Sequence, residues 1–399
     1  MSASLPTAAL ALAFALLGCE QPQPRWDEDV YVWQRVWSEP VLTAVRQASP
    51  YVDRFRILSA QWRQDDPPLV VDLAPGRDVF RARRIVPVAR LDGSRLSAEP
   101  SAVAEVLTGQ IQVFRAAGAQ VNAVEIDHDT ATAAVGDYAR WLGELRRELP
   151  QDLALWITAL PDWRHAPEIE RLLDQVDHYT LQVHAVSGDP SGLMDGSDAE
   201  GWVRAFSEIS QTPFSTALPT YQLRAGLDAA GEIQFLEAES PVPARAAEER
   251  WLFTAPQELV EWQWNIQLDQ PKQMAGIAWY RLPIEGDRSV ISMGTFQTIL
   301  EGQFPESEIE LALEPVREGG DTYDATVINH GPHDGAWPES IELPPGCQVG
   351  ETVNGFVADR QGGRISHPQP GLLKAGESIA AGWVRCAETP DETTTDSAG

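Results

Sequence analysis

From residue 30 the chain alternates two textures. Short runs rich in β-branched and aromatic residues have the length and content of strands: VYVWQRVW (30–37), RFRILSAQW (54–62), RIVPVARL (84–91), VNAVEID (121–127), LALWITALP (153–161), HYTLQVHAV (178–186), FSTALPTY (214–221) and MAGIAWYRL (274–282). Between them apolar positions recur at three and four residues. In TATAAVGDYARWLGELRRELP this spacing puts Val135, Tyr138, Leu142 and Leu145 on one helical face, and Pro150 ends the helix. The same spacing predicts helices over 40–52, 101–119, 166–176, 199–210 and 255–268, with none evident between the second and third strands. Eight strands separated by crossovers predict an α/β fold, a (β/α)8 TIM-like barrel over 30–303, because parallel strands require long connections that pack outside the sheet. An open doubly wound sheet is the alternative, but no Gly-rich phosphate loop follows the first strand.

From about Phe304 the pattern changes to short alternating segments, IELALEP, YDATVIN, SIELPP, ETVNGFVAD and ESIAAGWVRC, divided by Gly, Pro, Asn and Asp. These predict a small all-β, sandwich-like C-terminal domain over 304–387, followed by a polar tail, 388–399, expected to be disordered. Within it, Asn329-His330-Gly331-Pro332-His333-Asp334-Gly335 reads as turn chemistry with two surface histidines.

At the other end, TAALALAFALLGC is an apolar run of signal-peptide length, too short to span a bilayer. Its Leu16-Leu17-Gly18-Cys19 resembles the lipobox of bacterial lipoproteins, although the preceding MSASLPT has no Lys or Arg. The resemblance implies a signal peptide (1–18), cleavage before Cys19 and lipidation of its thiol, with 19–29 as a polar tether. A protein so processed would be lipid-anchored in the bacterial cell envelope, and Glu20 points to the outer membrane, facing the periplasm or the cell surface. Cys347 and Cys386 could bridge in such an oxidising place, which their spacing alone does not fix.

Charge narrows the partners. Lys and Arg number 30 against 59 Asp and Glu, a net charge of −29 spread along the chain. Such a surface repels phosphate backbones and argues against nucleic acid. Nothing in the sequence calls for a cofactor, and the oligomeric state is unspecified.

One strand breaks the rule of solvated charge. In VNAVEIDHDTAT (121–132), Glu125, Asp127 and Asp129 alternate with Val124, Ile126 and His128, so in extended backbone the carboxylates share one face. On the fourth strand of a barrel, Ala123 and Glu125 would point inward, and Asp127 and Asp129 would rise to the open C-terminal face where barrel enzymes keep their sites. Crowded carboxylates split their proton affinities, the arrangement acid–base chemistry needs. Two structural accounts compete: Asp129 or Thr130 capping the following helix, and inward salt bridges from Arg35, Arg90 or Arg281. Other strand ends offer pocket walls: Trp33 and Arg35 on the first, Gln182 and His184 on the sixth, Tyr221 after the seventh, and Trp279 or Tyr280 with Arg281 on the eighth. Aromatic faces with a few polar groups suit sugar rings. His184 would orient Asp127 or a sugar hydroxyl, or simply be a buried, hydrogen-bonded histidine.

The fourth strand resembles the DxxDxDxE motif of chitinase-type family 18 glycoside hydrolases. Asp129 stands at the general-acid position, one methylene shorter than the family's glutamate, and Asp127 at the assisting aspartate; Glu125 and Asn122 replace the other two aspartates. A broader resemblance, carried by VYVWQRVW, IDHDT, WLGELRRELP with LALWITALPDW, LQVHA and GIAWYRLP, is to the bacterial family called domain of unknown function 3142. It implies a barrel-like secreted or lipid-anchored protein without specifying a reaction. The resulting expectation is a glycoside hydrolase-like envelope protein acting on a polysaccharide or glycan, with Asp129 protonating the leaving oxygen, Asp127 stabilising the developing positive charge, and Glu125 holding Asp127. A non-catalytic glycan-binding protein on the same scaffold is the alternative. A metal-dependent hydrolase or deacetylase using Asp127, Asp129 and His184 or His128 is the third, without an HxH or HExxH pattern behind it.

Overall fold

A computed structural model of the chain describes residues 26–63, 66–185, 192–237, 248–338, 340–359, 361–368 and 371–387. The signal segment, Cys19 and the tail 388–399 lie outside the described residues.

The eight expected strands form, and they close. They are β1 (Asp27–Val32), β2 (Arg54–Trp62), β3 (Ile85–Leu91), β4 (Ala123–His128), β5 (Ala154–Ala159), β6 (His178–Gln182), β7 (Phe214–Pro219) and β8 (Met274–Tyr280). Each pairs in parallel with its neighbours in chain order, and β8 returns to β1 with Gly276 opposite Asp27 and Trp279 opposite Val30. The seam needs a glycine, because a Cβ on Gly276 would lie 2.4 Å from the Asp27 carbonyl oxygen. Strand β1 begins and ends earlier than its apolar run suggests: its pairing to β8 starts at Asp27, and Trp33 and Arg35 lie on the loop beyond it.

Helices cover the outside as the periodicity predicts. Glu39–Ala48, Pro100–Ala116, Val135–Glu148, Gly196–Ile209 and Pro256–Asp269 each bury one apolar face; on Val135–Glu148 it is Val135, Tyr138, Ala139, Leu142 and Leu145. The described part of the β2–β3 connection holds a two-residue strand, Leu69–Val70, antiparallel to β2, and short turns of helix, Ala74–Gly76 and Arg77–Phe80. Two larger elements go beyond the periodicity. A three-stranded antiparallel sheet (Leu223–Leu227, Ile233–Glu237, Glu248–Leu252) is inserted after β7, and a helix, Met293–Leu300, follows β8.

Inside the barrel, packed aliphatic layers would be usual, but here the middle is polar. Arg56 of β2 is fully buried and donates to Asp29 of β1 (2.9 and 2.8 Å), Glu125 of β4 (2.8 Å) and Ser215 of β7 (3.3 Å), and it also bonds Thr180 of β6. One guanidinium that touches five strands' worth of side chains, its own included, must sit near the barrel axis. Its face lies 4.9 Å from the Trp156 ring centroid, a cation–π contact shared by Arg54 at 5.3 Å.

The C-terminal domain is all β. A four-stranded antiparallel sheet (Ile309–Pro315, Thr322–Asn329, Ser378–Cys386, Cys347–Thr352) and a three-stranded one (Ser340–Glu342, Arg364–Ser366, Val357–Ala358) share a core that includes Tyr323, Val327, Phe356, Ile365 and Val384. Cys347 and Cys386, opposite each other on adjacent strands, form a disulfide. The Asn329–Gly335 run does more than turn the chain. His333 Nε2 lies 2.8 Å from Thr298 Oγ1, and the Asp334 amide donates to Thr295 Oγ1 at 2.9 Å, fastening the domain to the last barrel helix.

Candidate functional site

Side chains at the C-terminal ends of all eight strands, or just beyond them, line a cavity of about 280 Å³. Its two halves differ chemically. On the β3–β5 side the residues are charged. Arg90 of β3 lies opposite Asp127 of β4 in register, and its guanidinium forks onto Asp127 (2.9 Å) and Asp129 (2.7 Å), with Nε on Asp92 at 3.0 Å. Thr158 of β5 donates to the other oxygen of Asp127 at 2.8 Å. Gln61 of β2 extends the network, donating to Asp92 (2.6 Å) and accepting from Arg35 (2.9 Å).

Asp127 and Asp129 differ in their surroundings. Asp127 has 9% of its side chain exposed and Asp129 38%. Burial pushes the Asp127 carboxyl above the usual carboxylate range; Arg90 pulls against this, and Asp129 adds to it. Asp129 Oδ1 is buried and has no hydrogen-bond partner among the described residues, while Oδ2 takes the Arg90 bond. The helix-cap account of Asp129 and Thr130 fails on geometry, since the turn Thr132–Ala134 and the helix Val135–Glu148 follow Ala131 and Ala134 with no side-chain cap.

The opposite wall is aromatic. Tyr280 of β8 is its hub, with ring centroids 5.3 Å from Trp33, 5.4 Å from Tyr221, and 5.7 Å from both Tyr31 and His184. His184 Nδ1 is 3.1 Å from the Tyr221 hydroxyl, and burial lowers the pKa of His184 to about 3, so its imidazole is neutral. Gln182 stands beside it, donating to the His184 carbonyl at 3.1 Å.

Three expected site residues lie elsewhere. Glu125 sits one layer below the cavity, fully buried between Arg56 and the Tyr31 hydroxyl; its burial raises the carboxyl's pKa, and it reaches neither the cavity nor Asp127 by a hydrogen bond. Trp279 points outward against Phe296 of the last helix, its indole N–H bound to Glu28 at 2.7 Å, because adjacent strand residues face opposite sides and Tyr280 takes the inner one. Arg281 is buried against Asp287 at 2.9 Å, outside the cavity lining. Among the described residues Arg90, and neither Arg35 nor Arg281, binds Asp127 and Asp129, while Glu125 pairs with Arg56. His128 faces away, its Nδ1 3.0 Å from the Leu91 carbonyl oxygen and its ring against Tyr138. Tyr31, Gln61, Asp92 and Thr158 were not expected at the cavity. Their signal was the parity of polar residues at strand ends: Tyr31 is two before Trp33, and Asp92 two after Arg90.

Comparison with known proteins comes from two sides. Residues 81–285 match the family model described as "Domain of unknown function (DUF3142)", and residues 312–387 match "Domain of unknown function (DUF8456)". Among solved structures, the chain is similar to the spore cortex-lytic enzyme SleL of Bacillus megaterium QM B1551 (12% identity, 71% of this chain and 75% of that one, TM-score 0.49). It is also similar to SleL of Bacillus cereus (12%, 70% and 74%, 0.47) and to a glycoside hydrolase family 18 N-acetylglucosaminidase of Paenibacillus barengoltzii (11%, 70% and 98%, 0.44). No curated protein matches the chain.

Proposed function

The chain belongs to the family described as "Domain of unknown function (DUF3142)", whose model spans more than half of it, and on that premise we propose that its barrel mouth engages a polysaccharide or glycan of the bacterial envelope in a glycoside hydrolase-like reaction. The observation that carries this reading is the pairing of Asp127 and Asp129 at one side of the cavity, facing a wall built on Tyr280, Trp33 and Tyr221. A sugar ring stacks its apolar face on aromatics and offers hydroxyls to carboxylates and to Gln182.

Proton transfer then depends on what the ligand does to Asp129. A sugar covering the mouth would exclude water from Asp129, whose Oδ1 is already buried and whose side chain is 38% exposed in the open cavity. Asp129 would then protonate the leaving oxygen while Asp127, held by Thr158 and Arg90, stabilises positive charge at the sugar carbon or positions an assisting group of the substrate. The protein would work from a lipid anchor at Cys19.

Arg90 itself favours a second reading, binding without turnover, because a guanidinium forked onto both carboxylates keeps them as acceptors. A metal-dependent reaction has no such support: among the described residues no group of three or more His, Cys, Asp or Glu side chains is placed to hold an ion.

The test is a glycan array together with a chromogenic-glycoside screen of the mature protein and its Asp127→Asn and Asp129→Asn variants. Hydrolysis predicts turnover that Asp129→Asn abolishes while affinity survives, and weakened affinity and turnover in Asp127→Asn. Affinity with no turnover in the wild type selects the binding reading. Binding or activity unchanged by Asp127→Asn refutes both.

A further inference from the structure

The end of the barrel opposite the mouth carries a second concavity, a trough of about 970 Å³. Its lining comes from where strands begin and helices end: Trp26 just before β1, Tyr51 just before β2, Met274 at the start of β8, Leu268 near the end of the helix Pro256–Asp269, and Leu300 at the end of the last helix. Among the polar side chains of its lining, large apolar ones on and beside the trough meet water. Leu268 is 84% exposed, Trp264 50% and Phe304, whose ring centroid lies 5.0 Å from Trp264, 40%.

We propose that this trough is a membrane-seating face, which rests in the interfacial region of the bilayer that holds the lipidated Cys19. The proposal rests on the lipid-anchor reading and is independent of the chemistry at the mouth. Two observations select a lipid surface as the occupant. Trp26, which lines the trough, is only seven residues from Cys19 in sequence, and seven residues reach at most about 25 Å. The chain therefore leaves the barrel at the apolar end and holds that end within a short reach of the anchor. The exposed side chains are also of the interfacial kind, since tryptophan pairs an apolar body with an N–H that bonds to headgroups and carbonyls. Glu28 and Glu301 line the same trough in a chain of net charge −29, so the matching bilayer is zwitterionic rather than anionic. Seated in this way, the protein turns its mouth away from the membrane, toward polymer in the envelope space.

The test uses the full chain, expressed with its own N-terminus, purified in the lipidated form and reconstituted in phosphatidylcholine vesicles. Leu268→Cys carries an environment-sensitive fluorophore at the trough; Asp162→Cys carries it at the mouth end, on the turn after β5, where its side chain is 80% exposed. Both positions are open to solvent, so neither substitution threatens the fold. The expected result is blue-shifted emission at 268 that nitroxide lipids quench, and water-like emission at 162 that iodide quenches. Emission at 268 that stays water-like and iodide-accessible on anchored protein overturns the seating face while leaving the anchor intact. Mass spectrometry of the membrane fraction that shows an unmodified Cys19 overturns the anchor reading, and the proposal with it.

Discussion

Replacing Arg56 by methionine tests what holds the mouth from beneath. Methionine keeps much of the side-chain volume but removes a guanidinium that donates to Asp29 at 2.9 and 2.8 Å and to Glu125 at 2.8 Å, with no exposure to water. Asp29 keeps Arg54, whose Nε lies 2.9 Å away. The uncompensated charge is therefore Glu125, left with the Tyr31 hydroxyl alone. Removing one partner of a buried ion pair costs about 3–5 kcal/mol, or roughly 10 °C in Tm for a domain of this size. The cost depends on pH in a definite direction. Burial already raises the Glu125 carboxyl's pKa, and without Arg56 it rises further. A carboxyl with a raised folded-state pKa contributes stability at low pH that is lost as pH climbs through that value, so the penalty should be larger at pH 8 than at pH 5. Arg56→Met with Glu125→Gln removes the orphaned charge and should recover at least half of the loss. Urea and thermal unfolding of the wild type, the single and the double variant at both pH values measure this. A single variant within about 1 kcal/mol of wild type at pH 8, or a double variant no more stable than the single, would refute the account of the barrel interior.

Other expectations follow from burial, close approach and chain closure. His184 stays neutral in the folded protein down to a pKa of about 3 against an ordinary 6.5; the stability this contributes is present above about 6.5 and lost as pH falls toward 3, at roughly 1.4 kcal/mol per pH unit. His184→Gln should flatten the acid limb of the unfolding profile by that slope, and an unchanged limb would count against it. Gly276→Ala brings a methyl onto the Asp27 carbonyl at the β1–β8 seam and should cost about 1–3 kcal/mol, read by urea titration; a neutral effect would mean the seam relaxes freely. Reducing the Cys347–Cys386 bridge, which spans 39 residues, should destabilise the C-terminal domain by roughly 4 kcal/mol on the chain-entropy account. Faster amide exchange confined to 309–387 is the expected signature, and exchange spreading through the barrel would contradict it.

The elements were legible because their signals are local. Strand and helix periods are written in neighbouring residues, so all eight barrel strands and the principal helices could be read, as could the inward face of Glu125 and the rise of Asp127 and Asp129 to the open end. The inserted sheet was also readable in principle, since LRAGL and EIQFL flank a Gly-containing turn; a strand-then-helix expectation passed over it. Tyr280 and Trp279 show where local reading stops. Alternation separates their faces, but which one looks inward depends on the register of β8 against β1. The charged contacts go further out of reach. Arg56 and Glu125 are 69 residues apart, Arg90 and Asp129 are 39, and no pattern along the chain couples them. By itself the sequence determined which segments are strands, which of their faces carry charge, and that the fourth strand concentrates carboxylates. Only the closed barrel decided which arginine meets which carboxylate, giving Glu125 to Arg56 and both Asp127 and Asp129 to Arg90, because side chains distant along the chain become neighbours only when parallel strands lock in register and the last one returns to the first.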